Sequence, residues 1–167
     1  MGYEDHSHLA LKNICCAVII ISDSRTEQTD ESGKLLTKKL TDAGHTINHF
    51  ALLKNDASSI RSKLGELLHS PDIQVIITSG GTGVSKMDVT AETVIPLLEK
   101  KLDGFGELFR YFTFQEIGTG SILSRACAGV ALGKVIVCLP GSLNAVNLAM
   151  EKILLPELGH LVREASR

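Results

Sequence analysis

The chain has 167 residues, of which 44% are hydrophobic and 22% charged, a balance typical of one globular domain. Its net charge of −2 argues against a dedicated nucleic-acid-binding protein, which normally carries a basic excess. No apolar segment approaches the roughly 20 residues that span a bilayer, and the N-terminus shows no signal-peptide pattern. We therefore expect a cytoplasmic protein without nucleic-acid or membrane partners, with a polar tail over 1–12 and a single domain over 13–167.

The cysteines and histidines show no metal-site pattern. There is no C-x-x-C pair, and the six histidines have no metal-ligand spacing. We interpret the four cysteines, Cys15, Cys16, Cys127 and Cys138, as small buried residues of a reduced protein.

The first half of the chain alternates apolar runs with amphipathic patterns. The run "ICCAVIIIS" (14–22) predicts a strand buried on both faces. A helix then follows in "ESGKLLTKKLTDAGH", with Gly44 as its C-terminal stop. "TINHFALLK" (46–54) predicts a second strand, and "NDASSIRSKLGELLHS" has the apolar spacing of an amphipathic helix.

The second half continues the alternation. A third strand is predicted over 72–79, and after a glycine-rich loop a helix from about Ala91 to Lys101. "FGELFRYFTFQEIG" has a helical pattern whose phenylalanines we assign to the core, Phe114 included. "LGKVIVCLPGS" predicts a further buried strand. A long C-terminal helix contains Pro156, where we expect a kink or a break.

This alternation predicts a three-layer α/β/α sandwich with a mostly parallel sheet. In such sheets ligands bind beyond the carboxyl ends of the strands. Three predicted strands end in small or hydroxylated residues: Ser22-Asp23-Ser24, Ser79-Gly80-Gly81-Thr82-Gly83 and Pro140-Gly141-Ser142. If the strands are parallel, these endings meet at one edge and form a pocket.

The glycine-rich loop "SGGTG" (79–83) has two interpretations. Glycines let backbone N–H groups approach a ligand and form an anion-binding nest. The loop matches neither standard nucleotide-binding motif, so the spacing alone leaves anion binding and a plain strand-to-helix turn equally open.

Two aspartates are predicted near the same edge. Asp88 either interacts with the positive end of the next helix or is a carboxylate suited to Mg²⁺ beside the loop. Asp56, taken alone, is best interpreted as a helix N-cap. Together with an anion loop, however, the pair suits metal-assisted phosphoryl or nucleotidyl transfer. Basic residues that could assist are Lys54, Lys86 and Arg125.

Several other polar residues have weaker support. Asp23 and Arg25 are typical of a solvated loop, although their position after the first strand keeps them as candidate ligand contacts. Ser124 and Arg125 have a similar status. A serine nucleophile has little support because "SGGTG" is not a G-x-S-x-G elbow.

The motifs "TSGGTGVSKMDVTAETV", "DGFGELFRYFTFQEIGTGSILSRACAG" and "VIVCLPGSLNAVNLAMEKILLPEL" closely resemble the MoaB/MogA family of molybdenum cofactor biosynthesis, whose domain also occurs in the G domain of gephyrin. The resemblance covers about 16–161. The second loop reads "LPGSLNA" where MogA and gephyrin types more often have P-G-N-P or P-G-Q-P, so the chain lies on the MoaB side.

The resemblance implies a molybdopterin-binding fold and the adenylylation of molybdopterin by ATP with Mg²⁺, releasing pyrophosphate. It implies that Asp56 and Asp88 serve catalysis or metal handling, and that the chain forms homotrimers or dimers of trimers and works with other enzymes of the pathway. With the other strand ends, the expected substrate-binding set is Ser22, Asp23, Ser79, Gly80, Gly81, Thr82, Gly83, Ser124, Pro140, Gly141, Ser142 and Asn144.

Two alternatives to catalysis remain open. A non-catalytic molybdopterin-binding or carrier protein would keep the glycine loops without turning over ATP. A scaffold with a vestigial pocket fits less well, because both aspartates are retained.

Overall fold

The computed structural model describes residues 11–167, so the predicted tail over 1–12 lies almost wholly outside the described residues. Within that range six strands form one sheet in the order β2-β1-β3-β6-β5-β4. The strands are β1 (Cys15–Ile21), β2 (Thr46–Leu53), β3 (Val75–Ser79), β4 (Lys100–Lys101), β5 (Cys127–Ala131) and β6 (Lys134–Leu139).

The helices cover both faces of this sheet. They are α1 (Glu31–Asp42), α2 (Ala57–His69), α3 (Thr90–Val94), α4 (Asp103–Ile117), α5 (Leu143–Ala149) and α6 (Leu155–Ala165). Short 3₁₀ segments span Ile95–Leu97 and Gly118–Leu123, and a π-helical segment spans Met150–Leu154. None of the helices described over 11–167 has the length and apolarity needed to cross a membrane.

The sheet is apolar on both faces because helices cover both. On β1, Cys16, Val18 and Ile20 join a core with helices α1, α4, α5 and α6. The alternate residues of the strand, including Ile19, join a second core with α2 and α3. A strand buried on both sides has no polar alternation, which is why the sequence shows one continuous run. The predicted three-layer α/β/α fold is confirmed.

Strands β2, β1, β3 and β6 are mutually parallel, as expected. Strand β5 runs antiparallel to β6, and β4 runs antiparallel to β5. This edge was not predicted, because "CAGVA" is short and lacks a bulky apolar run. A two-residue turn joins β5 to β6, with positive φ at Leu132 and Gly133.

The predicted helix from Ala91 to Lys101 is wrong in its second half. Helix α3 ends at Val94, and the chain continues through one 3₁₀ turn that contains Pro96. Glu99 N and Leu102 N then donate to carbonyl groups of β5 (2.9 Å each), so the segment pairs with the sheet. Pairing along the sheet edge replaces the helical hydrogen bonds that proline interrupts.

Two further expectations about helices have different outcomes. The core assignment holds for Phe105 and Phe109, and Phe112 packs partly buried against the same core, but Phe114 is 54% exposed. The expected irregularity near Pro156 is confirmed, because the π-helical segment directly precedes α6 and places the proline in that helix's first turn.

Candidate functional site

A cavity of about 710 Å³ lies at the carboxyl ends of β1, β3 and β6. This volume is within the usual range for small-molecule sites. The three predicted strand endings all contribute to its lining, so their predicted convergence is confirmed in the fold. Predicted site residues that line the cavity are Ser22, Asp23, Gly80, Gly81, Thr82, Gly83, Asp88, Ser124, Pro140, Gly141, Ser142 and Asn144.

The glycine loop has a backbone that needs glycine. Gly80 has φ +108° and Gly81 φ +65°, which is left-handed backbone. A Cβ on Gly80 would lie 2.1 Å from the carbonyl oxygen of Ile21. Gly80 N also donates to Leu139 O (2.9 Å). The first turn of the loop therefore packs closely between the ends of β1 and β6, at the edge of the cavity.

Two side chains hold the loop from behind. Thr90, fully buried, donates its hydroxyl to Gly80 O (2.8 Å), and its backbone N–H donates to Gly81 O (2.9 Å). Arg125 donates from Nε to Thr82 O (3.1 Å), and its guanidinium also pairs with Glu92. The carbonyl oxygens of Gly80, Gly81 and Thr82 thus all accept hydrogen bonds from within the protein. The loop is fixed rather than free to adapt.

Asp88 closes the loop at its far end. Its Oδ2 accepts a hydrogen bond from Ser85 N (3.0 Å) and would lie 2.6 Å from a Cβ on Gly83. Its Oδ1 has no hydrogen-bond partner among the described residues. Helix α3 begins at Thr90 after Val89 as N-cap, so the carboxylate does not cap the helix. One carboxylate oxygen therefore remains available at the cavity wall.

Asp56 is the N-cap of α2 and does not line the cavity. Its Oδ2 accepts hydrogen bonds from both the backbone N–H and the hydroxyl of Ser59 (2.7 Å each). The Ser59 hydroxyl and then its N–H lower the Asp56 pKa below its usual value. The structure thus places one of the two predicted carboxylates at the cavity and the other in a capping position.

Asp23 joins the ends of β1 and β2. Its carboxylate accepts from the backbone N–H and the side-chain Nδ2 of Asn55 (3.0 and 3.1 Å), and Lys54 Nζ donates to its carbonyl oxygen (2.6 Å). The hydrogen bond from the Asn55 backbone lowers the Asp23 pKa most, followed by the one from the Asn55 side chain. Asp23 therefore lines the cavity and also links the loop after β1 to the loop after β2.

Asn55 is a cavity residue that the sequence interpretation missed. Since its Nδ2 donates to Asp23, its Oδ1 must act as the acceptor, and this buried oxygen has no partner. It lies against Gly81, 2.4 Å from where a Cβ would be. The buried Ser124 Oγ is likewise unpartnered in the cavity lining. Unpaired buried polar atoms are costly unless a ligand or water satisfies them.

Arg25 is not a solvated loop residue, contrary to the interpretation that the sequence favours. Its guanidinium contacts the Ser32 hydroxyl, lies 3.6 Å from the buried Asp30 carboxylate, and donates from Nη2 to Gly141 O (2.7 Å). Ser79, predicted to bind substrate, is buried in β3 and donates to Pro140 O (3.3 Å) instead of lining the cavity. Both side chains position the Pro140-Gly141 turn.

The wall opposite the loops comes from α4 and the segment after it, which the sequence did not connect with the site. Thr113, Glu116 and Ile117 lie there at helical spacing. The signal was weak because nothing local indicates which face of an aromatic-rich helix meets a ligand. The residues that complete this wall are Phe109, Gly120 and Leu123.

The cavity lining is negative overall. It contains Asp23, Asp88 and Glu116 against the guanidinium of Arg25, which the buried Asp30 already faces. Among residues 11–167 no cluster of three or more His, Cys, Asp or Glu side chains could enclose a metal ion. Asp88 Oδ1 nevertheless fits Mg²⁺ bound in the usual way, through one or two carboxylates plus substrate phosphates and water.

A family model described as "Probable molybdopterin binding domain" matches residues 17–160. The chain belongs to this family. The MoaB/MogA resemblance indicated by its motifs is thereby confirmed. Among curated relatives, molybdenum cofactor biosynthesis protein B of Bacillus anthracis is 45% identical over 168 residues, covering 100% of this chain and 99% of the relative. The protein of the same name from Halalkalibacterium halodurans is 46% identical over 165 residues, covering 98% and 97%.

Solved structures give the same family relationship. A crystal structure of a molybdenum cofactor biosynthesis protein B superposes with a TM-score of 0.89 at 46% identity, covering 92% of this chain and 96% of that one. The tungsten cofactor synthesizing protein MoaB of Pyrococcus furiosus gives 0.84 at 34% identity, covering 95% and 100%. The chain thus shares its fold with these two proteins over 92% and 95% of its length.

Proposed function

We propose that this protein acts in molybdenum cofactor biosynthesis by adenylylating molybdopterin, with ATP as the nucleotide donor. The terminal phosphate of molybdopterin attacks the α-phosphorus of ATP, and pyrophosphate leaves with the electron pair of the broken P–O bond. The observation that carries the proposal is the cavity in which the glycine loop, Asp88 and the Pro140-Gly141-Ser142 turn converge at one sheet edge. The relatives' names support the pathway.

The protein's own contribution is mainly positioning. The attacking phosphate is already ionised, so no general base is required, and orientation supplies much of the rate in phosphoryl transfer. The rigid Gly80-Gly81 turn presents fixed backbone groups, and the Ser142 and Ser22 hydroxyls lie on the same cavity lining. Asn55 Oδ1 is an unpaired acceptor that lies buried against Gly81, beneath the loop.

Asp88 is the proposed Mg²⁺ ligand, through its free Oδ1. When bound there with ATP, Mg²⁺ would neutralise negative charge on the phosphate oxygens. The carboxylates in the lining repel a phosphate-bearing ligand, and a bound cation would offset that repulsion. We extend the proposal to Asp56 because the family pattern includes it. A role in the reaction requires its carboxylate to contact the substrate or Mg²⁺ in addition to accepting the hydrogen bonds from Ser59.

The position of Asp56 favours a second candidate, a molybdopterin-binding protein that does not turn over ATP. An N-cap outside the cavity contributes helix stability without chemistry. The two candidates differ in pyrophosphate release under saturating ATP and Mg²⁺. Pterin binding without that release would favour the carrier.

The test measures pyrophosphate release and adenylylated product from molybdopterin, ATP and Mg²⁺. We expect wild type to turn over and Asp88→Asn to lose at least about 100-fold in rate with little loss of stability. Asp56→Ser keeps an N-cap residue but removes the charge. A large rate loss in Asp56→Ser assigns its carboxylate to the reaction, and wild-type turnover in Asp88→Asn contradicts the role of that residue.

The family resemblance implies homo-oligomers, and we also infer that these form through the outer face of α4 and the segment that follows. Large apolar side chains are exposed there at unusual density: Leu108, Tyr111, Phe114, Ile117, Ile122 and Leu123. Contiguous apolar patches of this kind mark interaction surfaces. Because Ile117 and Leu123 also line the cavity, a partner copy bound there lies beside the site.

A further inference from the structure

Cys127 on β5 lies directly opposite Cys138 on β6. Opposite residues of an antiparallel pair point to the same face of the sheet, with α-carbons about 4.5–5.5 Å apart. Disulfides usually join α-carbons separated by about 4.4–6.8 Å. Both thiols are free. The α-carbons of these two cysteines therefore lie within the range of separations that disulfides join.

The two thiols have unequal surroundings. Cys138 is completely buried, whereas Cys127 is half-buried and lines a second cavity of about 520 Å³ together with Arg110 and Arg125. The hydrogen bond from Cys138, helped by both guanidinium groups, lowers the pKa of Cys127. The same hydrogen bond and burial raise the pKa of Cys138. Cys127 is thus the accessible nucleophile and Cys138 the protonated partner.

We propose that Cys127 and Cys138 form a reversible oxidation site for small peroxides. The Cys127 thiolate attacks one peroxide oxygen, the O–O bond breaks, and the departing hydroxide takes a proton to become water, leaving a sulfenic acid. The Cys138 sulfur then attacks the sulfenic sulfur, and the hydroxyl leaves with the Cys138 proton as a second water. Two thiols lose two electrons to form one disulfide, and the peroxide gains them.

The disulfide would act on the main cavity through both strands. Cys127 lies two residues after Arg125, which donates to Thr82 O, and Cys138 lies two residues before the Pro140-Gly141 turn. A disulfide requires β-carbons about 3.5–4.5 Å apart, closer than the roughly 4.5–5.5 Å of most opposite pairs. Bond formation therefore pulls the two loop supports together. Weaker ligand binding in the oxidised form follows, and this consequence rests on the proposed function.

Other cysteines provide the controls. Cys15 and Cys16 are neighbours on β1, so their side chains point to opposite faces, and β3 separates their strand from β6. Neither is positioned to replace Cys127 or Cys138. Cys15→Ser therefore serves as the matched variant that leaves the proposed pair intact.

The experiment exposes the full chain to one equivalent of hydrogen peroxide, blocks remaining thiols by alkylation and maps tryptic peptides. Cleavage at Arg125, Lys134 and Lys152 separates peptide 126–134 from peptide 135–152. We expect these two peptides joined by a disulfide in wild type and in Cys15→Ser, and released by dithiothreitol. In Cys138→Ala we expect a sulfenic acid at Cys127, trapped by dimedone.

Full alkylation of Cys127 and Cys138 after peroxide would overturn the proposal. Dimedone capture at Cys127 as the end product in wild type would overturn it too. A disulfide between two chains, seen as a covalent dimer on a non-reducing denaturing gel, would also overturn it. A molybdopterin-binding titration compares the reduced and oxidised forms, with about a tenfold weaker affinity expected after oxidation. Unchanged affinity contradicts the coupling to the cavity. Absence of molybdopterin binding by both forms contradicts the proposed function. The peptide map tests disulfide formation independently of that result.

Discussion

Arg25 Nη2 donates a 2.7 Å hydrogen bond to the carbonyl oxygen of Gly141, joining residues separated by 116 positions in the chain. The same guanidinium faces the buried carboxylate of Asp30, the N-cap of α1. One side chain therefore connects the loop after β1 with the turn after β6. Since both loops line the cavity, its shape depends on this contact.

Replacing Arg25 should weaken both the fold and the site. In Arg25→Met we expect the unfolding free energy to fall by about 1–3 kcal/mol, because the buried Asp30 carboxylate loses the positive charge that faces it. This loss is smaller than that for a fully buried ion pair because Arg25 is partly exposed. Ligand affinity should fall about tenfold. Urea unfolding and a binding titration measure the two effects.

Arg61→Met is the control for this change, because Arg61 is exposed on α2. It should alter stability by no more than about 0.5 kcal/mol. Equal stability losses in the two variants would contradict a specific role for Arg25.

Gly80→Ala should be severely destabilising. The left-handed φ and the 2.1 Å approach to Ile21 O together predict a cost of about 2–4 kcal/mol. Thermal or denaturant unfolding measures it. Gly65→Ala, inside α2 with nothing within 4 Å of the added Cβ, should instead stabilise by about 0.5–1 kcal/mol. The opposite signs separate loop strain from the general effect of removing a glycine.

The two lowered aspartate pKa values predict an acid dependence of stability. Asp23 and Asp56 have folded pKa values below the ordinary 3.8, so their contribution is present above about pH 4 and is lost as pH falls further. We expect the unfolding free energy of Asp56→Ser to depend less on pH than that of wild type in this acid range. Parallel pH profiles for the two proteins would contradict the Ser59 hydrogen bonds as the cause.

Binding of a phosphate-bearing ligand should require a divalent cation. The carboxylates of the cavity lining repel phosphate, and Mg²⁺ at Asp88 offsets this charge. Calorimetric titration of ATP with Mg²⁺ and with EDTA should show at least about a tenfold difference in affinity. Asp88→Asn should reduce that difference, whereas equal affinity with and without Mg²⁺ in wild type would argue against the cation site.

The exposed face of α4 predicts a charge-sensitive assembly. Phe114→Lys should shift the chain toward monomers, because burying an unpaired charge at an apolar interface is costly. Sedimentation velocity measures this. Leu132→Lys, at a side chain of similar exposure in the β5–β6 turn (52% against 54%), should leave the assembly unchanged. Identical profiles for all three proteins would place the interface elsewhere.

The sequence by itself determined the elements whose signal is local. The β1 run is apolar throughout because both faces of the strand are covered, and the strand endings at Ser22, Gly80 and Gly141 converge because parallel strands share one edge. The glycines at 80 and 81 allow the left-handed backbone that the structure shows, although the spacing alone left the loop's function open. The apolar run and the glycines are local signals, and the general rule for parallel strands adds the convergence.

Only the tertiary structure decided what most polar side chains at the site do. The sequence predicts the N-cap role of Asp56, which the structure confirms, but it leaves the role of Asp88 open until the fold brings its carboxylate to the cavity. Arg25 resembles a solvated residue until Asp30 and Gly141 are brought to it. Strand β5 was missed because its stability comes from pairing with β6 rather than from its own residues. Such roles depend on long-range contacts that no local pattern encodes.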